Sequence, residues 1–302
     1  MREKVQKLIA ALAVIFILPY IIVTLGAGDV KEAYALQKAS ENFITIRTED
    51  GMREIAFEDY VCGVAARQLE GSCPLEAAKS QMVIARTNLK KFQEDHPGTL
   101  LSEPYLTLDE MEEKGILQEM LQAVEETGGE VLTFEDALVQ LPFHAVSSGK
   151  TRSGEDAGLQ EQYPWLTSVD SRKDIESEWY LCVELKEPEE VRACVEKEYP
   201  GALTQEPLQG QIEILARDGG DYVTKVRIGE KEISGEKFRN LLGLASSCFF
   251  LEENDGRIRI TTKGLGHGLG LSRCGAVRMA EAGADYREIL QYYFEKCVLR
   301  AE

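Results

Sequence analysis

Apolar and polar residues alternate from Phe43 to Thr48 and again from Arg53 to Phe57, with Glu49-Asp50-Gly51 between them. That pattern predicts two strands joined by a turn. From Asp59 the period changes: Tyr60, Val61, Val64, Ala65 and Leu69 recur at helical spacing until Gly71-Ser72-Cys73-Pro74 interrupts them. Pro74 suits the opening of a second helix, on which Leu75, Ala78, Met82, Ala85 and Leu89 form one apolar stripe. His96-Pro97-Gly98 ends that region. Leu108 to Glu126 predicts one charged amphipathic helix, closed by Gly128-Gly129. Residues 130–134 and 141–146 read as strands, and Ser147 to Gln160 as a polar loop of a length that often carries function.

Residues 179–261 have the pattern of an inserted lobe. It starts with a strand over 179–185 and a helix over 188–199. A hairpin turns at Asp218-Gly219-Gly220, a helix spans Ser234 to Leu242, and strands cover 249–251 and 257–262. The chain ends with a Gly-rich turn, Gly264 to Gly270, and two helices. Ser272 suits the cap of the first, Gly283 its end, and Asp285 with Glu288 makes a capping-box pattern for the second. Strands and helices mix without βαβ regularity, so the expected class is α+β: a mixed-sheet core over 43–178 and 262–302, with the lobe inserted.

Before that core, Leu8 to Gly28 carries no charge, flanked by Arg2, Lys4 and Lys7 on one side and Asp29 on the other. About 20 apolar residues suffice to cross a bilayer, and the flanking charges orient the N-terminus to the cytoplasm. The expectation is a single-pass membrane protein: residues 1–28 as cytoplasmic tip and transmembrane helix, 29–42 as a stalk, and the rest extracytoplasmic. Cleavage near Ala33-Tyr34-Ala35 is the rival reading, and it exports the same portion. Of the 302 residues 44% are hydrophobic, enough for a core, and the formal net charge of −18 repels polyanions, which argues against nucleic acid as a partner. The seven cysteines are odd in number, so at least one cannot pair within the chain.

The segment richest in chemistry runs from Gly264 to Gly275: four glycines flank His267 and lead into a helix start at Ser272. Glycines allow close backbone approach, and a helix N-terminus offers free N–H groups to a polar ligand. His267 fits either a ligand contact or a backbone brace for the turn. Neither a GxxxxGK[ST] motif nor a βαβ context is present, so nucleotide binding is not expected.

Gly266-His-Gly-Leu-Gly-Leu-Ser272, followed by Gly275-Ala276, Met279-Ala280, Gly283, Tyr286 and Tyr292-Tyr293, resembles the C-terminal signature of stage II sporulation protein D and the amidase-enhancer proteins. Three further stretches agree in order: Tyr60 to Leu69 with Glu76 to Thr87, Phe143 to Thr151, and Ser234 to Leu244. The resemblance implies an exported, membrane-tethered lytic transglycosylase acting on peptidoglycan glycan strands, with a cell-wall amidase as a possible partner. In that reaction one carboxyl group protonates the glycosidic oxygen and then takes a proton from the muramic C6 hydroxyl. The resemblance places that carboxyl at Gln68, and an amide has no proton to give at neutral pH.

Glu70 is the candidate substitute: residues two apart on a helix point in different directions, but the helix ends near it. Glu58 and Asp59 read as residues of the first helical turn. Arg86 matches the family's arginine, suited either to a sugar carboxylate and the orientation of the catalytic group or to a structural ion pair. His144, Ser147, Ser148, Lys150 and Thr151 supply polar groups suited to a carbohydrate groove, joined by His267 and Ser272. Arg273 and Cys274 stand where the family usually has Gln-Tyr. No cofactor is expected. The region that holds zinc in some relatives has His96 here but no cysteine, so no metal is expected either. Altogether the sequence predicts a glycan-strand-binding protein of sporulation and cell-wall remodelling with weakened or lost catalysis; the alternative is an active lytic transglycosylase using another carboxylate such as Glu70.

Overall fold

The computed structural model describes residues 42–203, 208 and 210–301. The expected membrane helix and the stalk up to residue 41 lie outside the described residues. Among the described residues no helix is long and apolar enough to cross a membrane.

The chain opens with an antiparallel hairpin, β1 (Phe43–Thr48) and β2 (Gly51–Ala56), in the register the alternation implies, Ile44 opposite Ile55. Helix α1 (Phe57–Leu69) follows without a side-chain cap, its first turn carrying Glu58 and Asp59 against the positive end of the helix dipole. It ends at Glu70, whose φ of 62° is left-handed.

Helix α2 (Leu75–Asp95) is the axis of the core. Its predicted stripe, Ala78, Met82, Ala85 and Leu89, packs on Tyr60 and Val64 of α1. A second face, Val83 and Ile84, packs on residues from the far end of the chain, Leu271, Ile289 and Tyr293. Burial of side chains this size contributes about 1.5–3 kcal/mol each, which fixes α2 between two apolar clusters.

The single helix expected over 108–126 is two, α3 (Leu108–Glu113) and α4 (Leu117–Glu126). Gly115, at φ 70°, breaks them, and Thr107 with Glu110 forms a capping box at the start of α3. Strands β3 (Glu130–Phe134) and β4 (Ala137–Leu138) pair as a hairpin, and the strand expected over 141–146 shrinks to β5 (Phe143–His144).

Residues 181–263 enclose an apolar cluster of their own, with Val191, Val195, Val226, Phe238, Phe249 and Ile260 buried in it. In this lobe β6 (Leu181–Lys186) is followed by α5 (Pro188–Glu198). The hairpin β7 (Ile212–Arg217) and β8 (Val223–Ile228) leads to β9 (Lys231–Ser234) and α6 (Gly235–Leu242). Strands β10 (Phe249–Asn254) and β11 (Arg257–Lys263) complete a sheet of order β10-β11-β6 beside the β7-β8-β9 sheet.

The chain then returns to the core through β12 (Leu271–Ser272), which pairs parallel with β5. Helices α7 (Arg273–Glu281) and α8 (Tyr286–Tyr293) and strand β13 (Val298–Ala301), paired with β3, finish it. The expected caps are present: the Ser272 side chain accepts from Gly275 N–H, and Asp285 and Glu288 bond reciprocally. Several small sheets mixed with helices make the chain α+β, and its seven cysteines are all free.

Candidate functional site

The two-residue β5–β12 rung sets Ser272 beside His144 and draws the Gly-rich turn against the central polar motif. Val146 and Leu265 exchange backbone hydrogen bonds of 3.1 and 2.7 Å, and Cys274 N–H donates to the Ala145 carbonyl at 3.0 Å. Gly266 and Gly268 both have positive φ, and a Cβ on Gly268 would collide with the Tyr222 ring, so the close approach requires glycine.

His144 is buried, and its Nδ1 lies 3.0 Å from the Leu269 carbonyl. A carbonyl only accepts, so Nδ1 carries the proton and Nε2 keeps a lone pair, for which the protein offers no partner. Burial, with the nearby His267 and Arg273, pushes the His144 pKa down to about 3, so the ring is neutral at physiological pH. His267, with its ring centroid 5.9 Å from that of His144, accepts from Leu269 N–H at 3.1 Å and also bonds the Phe143 backbone. Of its two expected roles, the geometry matches the brace.

Beneath the rung lies Asp174, fully buried, which nothing in its charged sequence neighbourhood marks out. Its Oδ2 accepts from Ser147 N–H at 2.7 Å and from the Ser272 hydroxyl at 2.6 Å, tying the polar loop to the cap of α7. Burial raises its pKa. Ser147 and Ser272 therefore serve an interior carboxyl. Thr151 is also buried, with its hydroxyl accepting from Val169 N–H at 2.9 Å.

The lobe braces the same loop. Arg152 pairs with Asp218 at 2.6 Å, the side chains 6% and 2% exposed, and its Nη1 donates to the His267 carbonyl at 3.3 Å. Ser148 N–H donates to the Tyr222 hydroxyl at 2.9 Å, and the Ser148 hydroxyl to the Gly220 carbonyl at 2.7 Å. Lys150 remains exposed. Arg152, Asp218 and Tyr222 are residues that sequence reasoning missed.

The other wall is the end of α1. Gln68 accepts from Gln81 Nε2 at 2.7 Å, which commits its amide oxygen and leaves its amide NH2 as its remaining polar group. Arg273, the first residue of α7, reaches across and donates through Nη1 to the Gln68 carbonyl. Its Nη2 sits 3.7 Å from Glu70 Oε2, and the Glu70 side chain is 74% exposed. Arg273 also faces His144 closely enough to disfavour its protonation. Gln68, Glu70, Arg273, His144 and His267 thus gather around one junction.

Arg86 does not join them. It is fully buried and forks onto Glu58, with Nε 2.9 and 3.1 Å from the two carboxylate oxygens and Nη2 2.6 Å from Oε2. Its Nη1 donates to the Glu130 carbonyl at 3.1 Å. Of the readings open for Arg86, the geometry matches the structural ion pair, and with its donors spent inside the core it has no path to a sugar. Glu58 belongs to the same pair rather than serving only the helix dipole.

Chemically, the junction offers the amide of Gln68 and the guanidinium of Arg273, backed from inside by the buried, neutral His144. That set suits hydroxyls, acetamido groups and anions. Among the described residues it has no buried carboxyl facing outward, since Asp174 is sealed and Glu70 is solvated. Among the described residues no three of His, Cys, Asp or Glu are grouped to hold a metal ion.

Comparison with known proteins identifies related chains. The family described as Stage II sporulation protein matches residues 47–134, from β1 through β3. Stage II sporulation protein D of Bacillus amyloliquefaciens is 31% identical over 81% of this chain and 74% of its own length. The Bacillus subtilis protein of the same name is 27% identical over 88% of this chain and 80% of its own. The amidase enhancer of Bacillus subtilis is 24% identical over 77% of this chain, but only 39% of its own length is covered. With similarity of that extent over most of both chains, the chain belongs to the stage II sporulation protein D family.

Proposed function

We propose that the protein binds peptidoglycan glycan strands at the junction of α1, β5 and α7, and that it turns them over poorly or not at all. The observation that carries this is Gln68. Its side chain sits at the end of α1 with its oxygen held by Gln81. An amide there can donate a hydrogen bond to a sugar oxygen but cannot deliver and recover a proton. General acid–base assistance is worth a factor of roughly 10² to 10⁴, and its loss leaves binding as the remaining contribution. Lys150, exposed on the central polar loop, adds a cation able to engage a polar chain. On this reading the membrane helix expected over residues 8–28 would hold the protein on the outer face of the membrane, beside the wall, where a cell-wall amidase could work with it.

The second reading, turnover through Glu70, draws on the Glu70–Arg273 contact. Against it, Glu70 lacks the burial by which sugar-cleaving enzymes hold a carboxyl protonated near neutrality.

Incubating the full chain with amidase-treated glycan strands, with both pelleting and product analysis, tests the proposal. Co-sedimentation with little anhydromuramyl product supports it. Abundant product that disappears in Glu70→Gln favours the second reading, and failure to sediment with the strands removes both.

A further inference from the structure

Strand β6 presents a bare edge. It is an outer strand of the β10-β11-β6 sheet, and no strand of the described residues pairs with its far side. Its burial alternates, with Leu181, Val183 and Leu185 55%, 46% and 45% exposed in one row. Five of the nine large hydrophobic side chains exposed among the described residues fall between Ile175 and Leu185, so this apolar surface is concentrated rather than scattered. The backbone points the same way. Gly264 N–H donates to the Tyr180 carbonyl at 2.6 Å, while Lys263 N–H turns away to the Cys248 carbonyl. Lys263 stands opposite Leu181 and Thr262 opposite Cys182, so antiparallel alternation turns the Cys182 and Glu184 backbone towards β11. The N–H and C=O groups of Leu181, Val183 and Leu185 are thereby left facing the free edge.

Proteins blunt exposed edges with charges, bulges or short strands, because a bare edge is a template for another strand. The other outer strands of the lobe show these devices. Strand β10 carries exposed Glu252 and Glu253, and its Phe249 carbonyl accepts from Arg217 at 2.7 Å. Strand β7 has register shifts between Ile214 and Arg217, and β9 is four residues long with Lys231 and Glu232 exposed. Strand β6 has no proline and pairs with β11 without a bulge. Its charged residues, Glu184 and Lys186, sit in the other row and pair with each other at 3.0 Å. On a chain with a formal net charge of −18, this uncharged row lets two copies meet without bringing like charges together.

We propose that β6 pairs antiparallel with β6 of a second copy about a two-fold axis through Val183, joining two three-stranded lobe sheets into one of six. In that register Val183 faces itself and Leu181 faces Leu185 of the second copy. The three pairs use every outward-facing residue of each strand, with two backbone bonds to a pair. On the opposite face Cys182 meets Glu184. Moving the axis to Glu184 would set that carboxylate against its own copy and lose one of the three pairs. Tyr180, just before β6, donates from its hydroxyl to the Ser148 carbonyl at 3.1 Å, so the shared sheet would run directly into the polar loop of each copy. The inference stands on β6 and does not depend on what the junction binds.

The test is sedimentation equilibrium of the full chain in detergent micelles, which accommodate the uncharged run from Leu8 to Gly28. The unmodified chain is expected to form a dimer in reversible equilibrium with monomer. Leu181→Lys and Leu185→Glu each place a charge opposite an aliphatic side chain twice per dimer, and each should weaken self-association about tenfold. Mixing the two variants should restore it: the introduced ammonium then lies opposite the introduced carboxylate in one pair, and the two remaining leucines meet in the other. Both side chains are exposed in the single chain, so neither substitution disturbs its core, and rescue on mixing separates lost pairing from lost structure. A chain that stays monomeric at every concentration overturns the inference and leaves the face to a partner of another kind. Association that neither substitution weakens also overturns it, and so does weakening without rescue.

Discussion

Arg86 Nη2 lies 2.6 Å from Glu58 Oε2, and this fork joins the first turn of α1 to the middle of α2. Removing one partner strands a charge inside the core. Arg86→Met should lower the unfolding free energy by about 3 kcal/mol, the lower end for a buried pair because Glu58 is partly solvated. Urea unfolding measures it. The double variant Arg86→Met, Glu58→Gln should recover part of the loss, whereas a merely additive second loss would speak against the pair.

The Arg152–Asp218 pair makes a second, separable prediction. Both side chains are buried, so Asp218→Ala leaves Arg152 uncompensated and should cost about 3–5 kcal/mol. Hydrogen exchange should then quicken in residues 147–152 and 264–270, the segments that Arg152 and Tyr222 hold. Faster exchange confined to the lobe would show that the brace does not reach the site.

Restoring a carboxyl at the junction is a direct probe of chemistry. Gln68→Glu should raise anhydromuramyl product from denuded strands, by about 10² at most, because Arg273 favours the ionised form of a carboxylate beside it. Product analysis decides, and no gain in the variant would show that more than one proton shuttle is missing.

His144 makes stability depend on pH. Its pKa is about 3 in the fold against 6.5 for an ordinary histidine. Between those values the unfolded chain binds more protons than the folded one. This contribution is therefore fully present above about pH 6.5 and is lost as pH falls from there towards 3. Denaturant midpoints at several pH values should show that slope, reduced in His144→Gln. An unchanged slope in the variant would assign it to other groups.

What the sequence made legible was local. The caps at Ser272 and at Asp285–Glu288 depend on residues three apart, and the structure forms both. The stripe Ala78, Met82, Ala85 and Leu89 is a period along one helix, but the second buried face of α2 answers to residues some 200 positions downstream and has no local period. Helical spacing also persisted across Gly115, which concealed the break between α3 and α4. The site divides the same way. Gln68, His144 and His267 stood out by motif, whereas Arg152 and Asp218 are ordinary charges in two distant loops. Asp174 sits in the run Ser171-Arg-Lys-Asp-Ile-Glu, which reads as a solvated face. Its burial arises only because two serines from opposite ends of the core converge on it.

That convergence governs when the cleft can exist. His144 and the Leu269 carbonyl it bonds are 125 residues apart, and the entire lobe lies between them. Closing so long a loop carries an entropic penalty that two rungs of parallel pairing offset only in part. The β5–β12 junction is therefore among the last elements to assemble, after α1 and α2 have docked through near neighbours. Truncation before β12 would remove the rung together with Leu271, Ile289 and Tyr293, and so would uncover the second face of α2 at the same stroke.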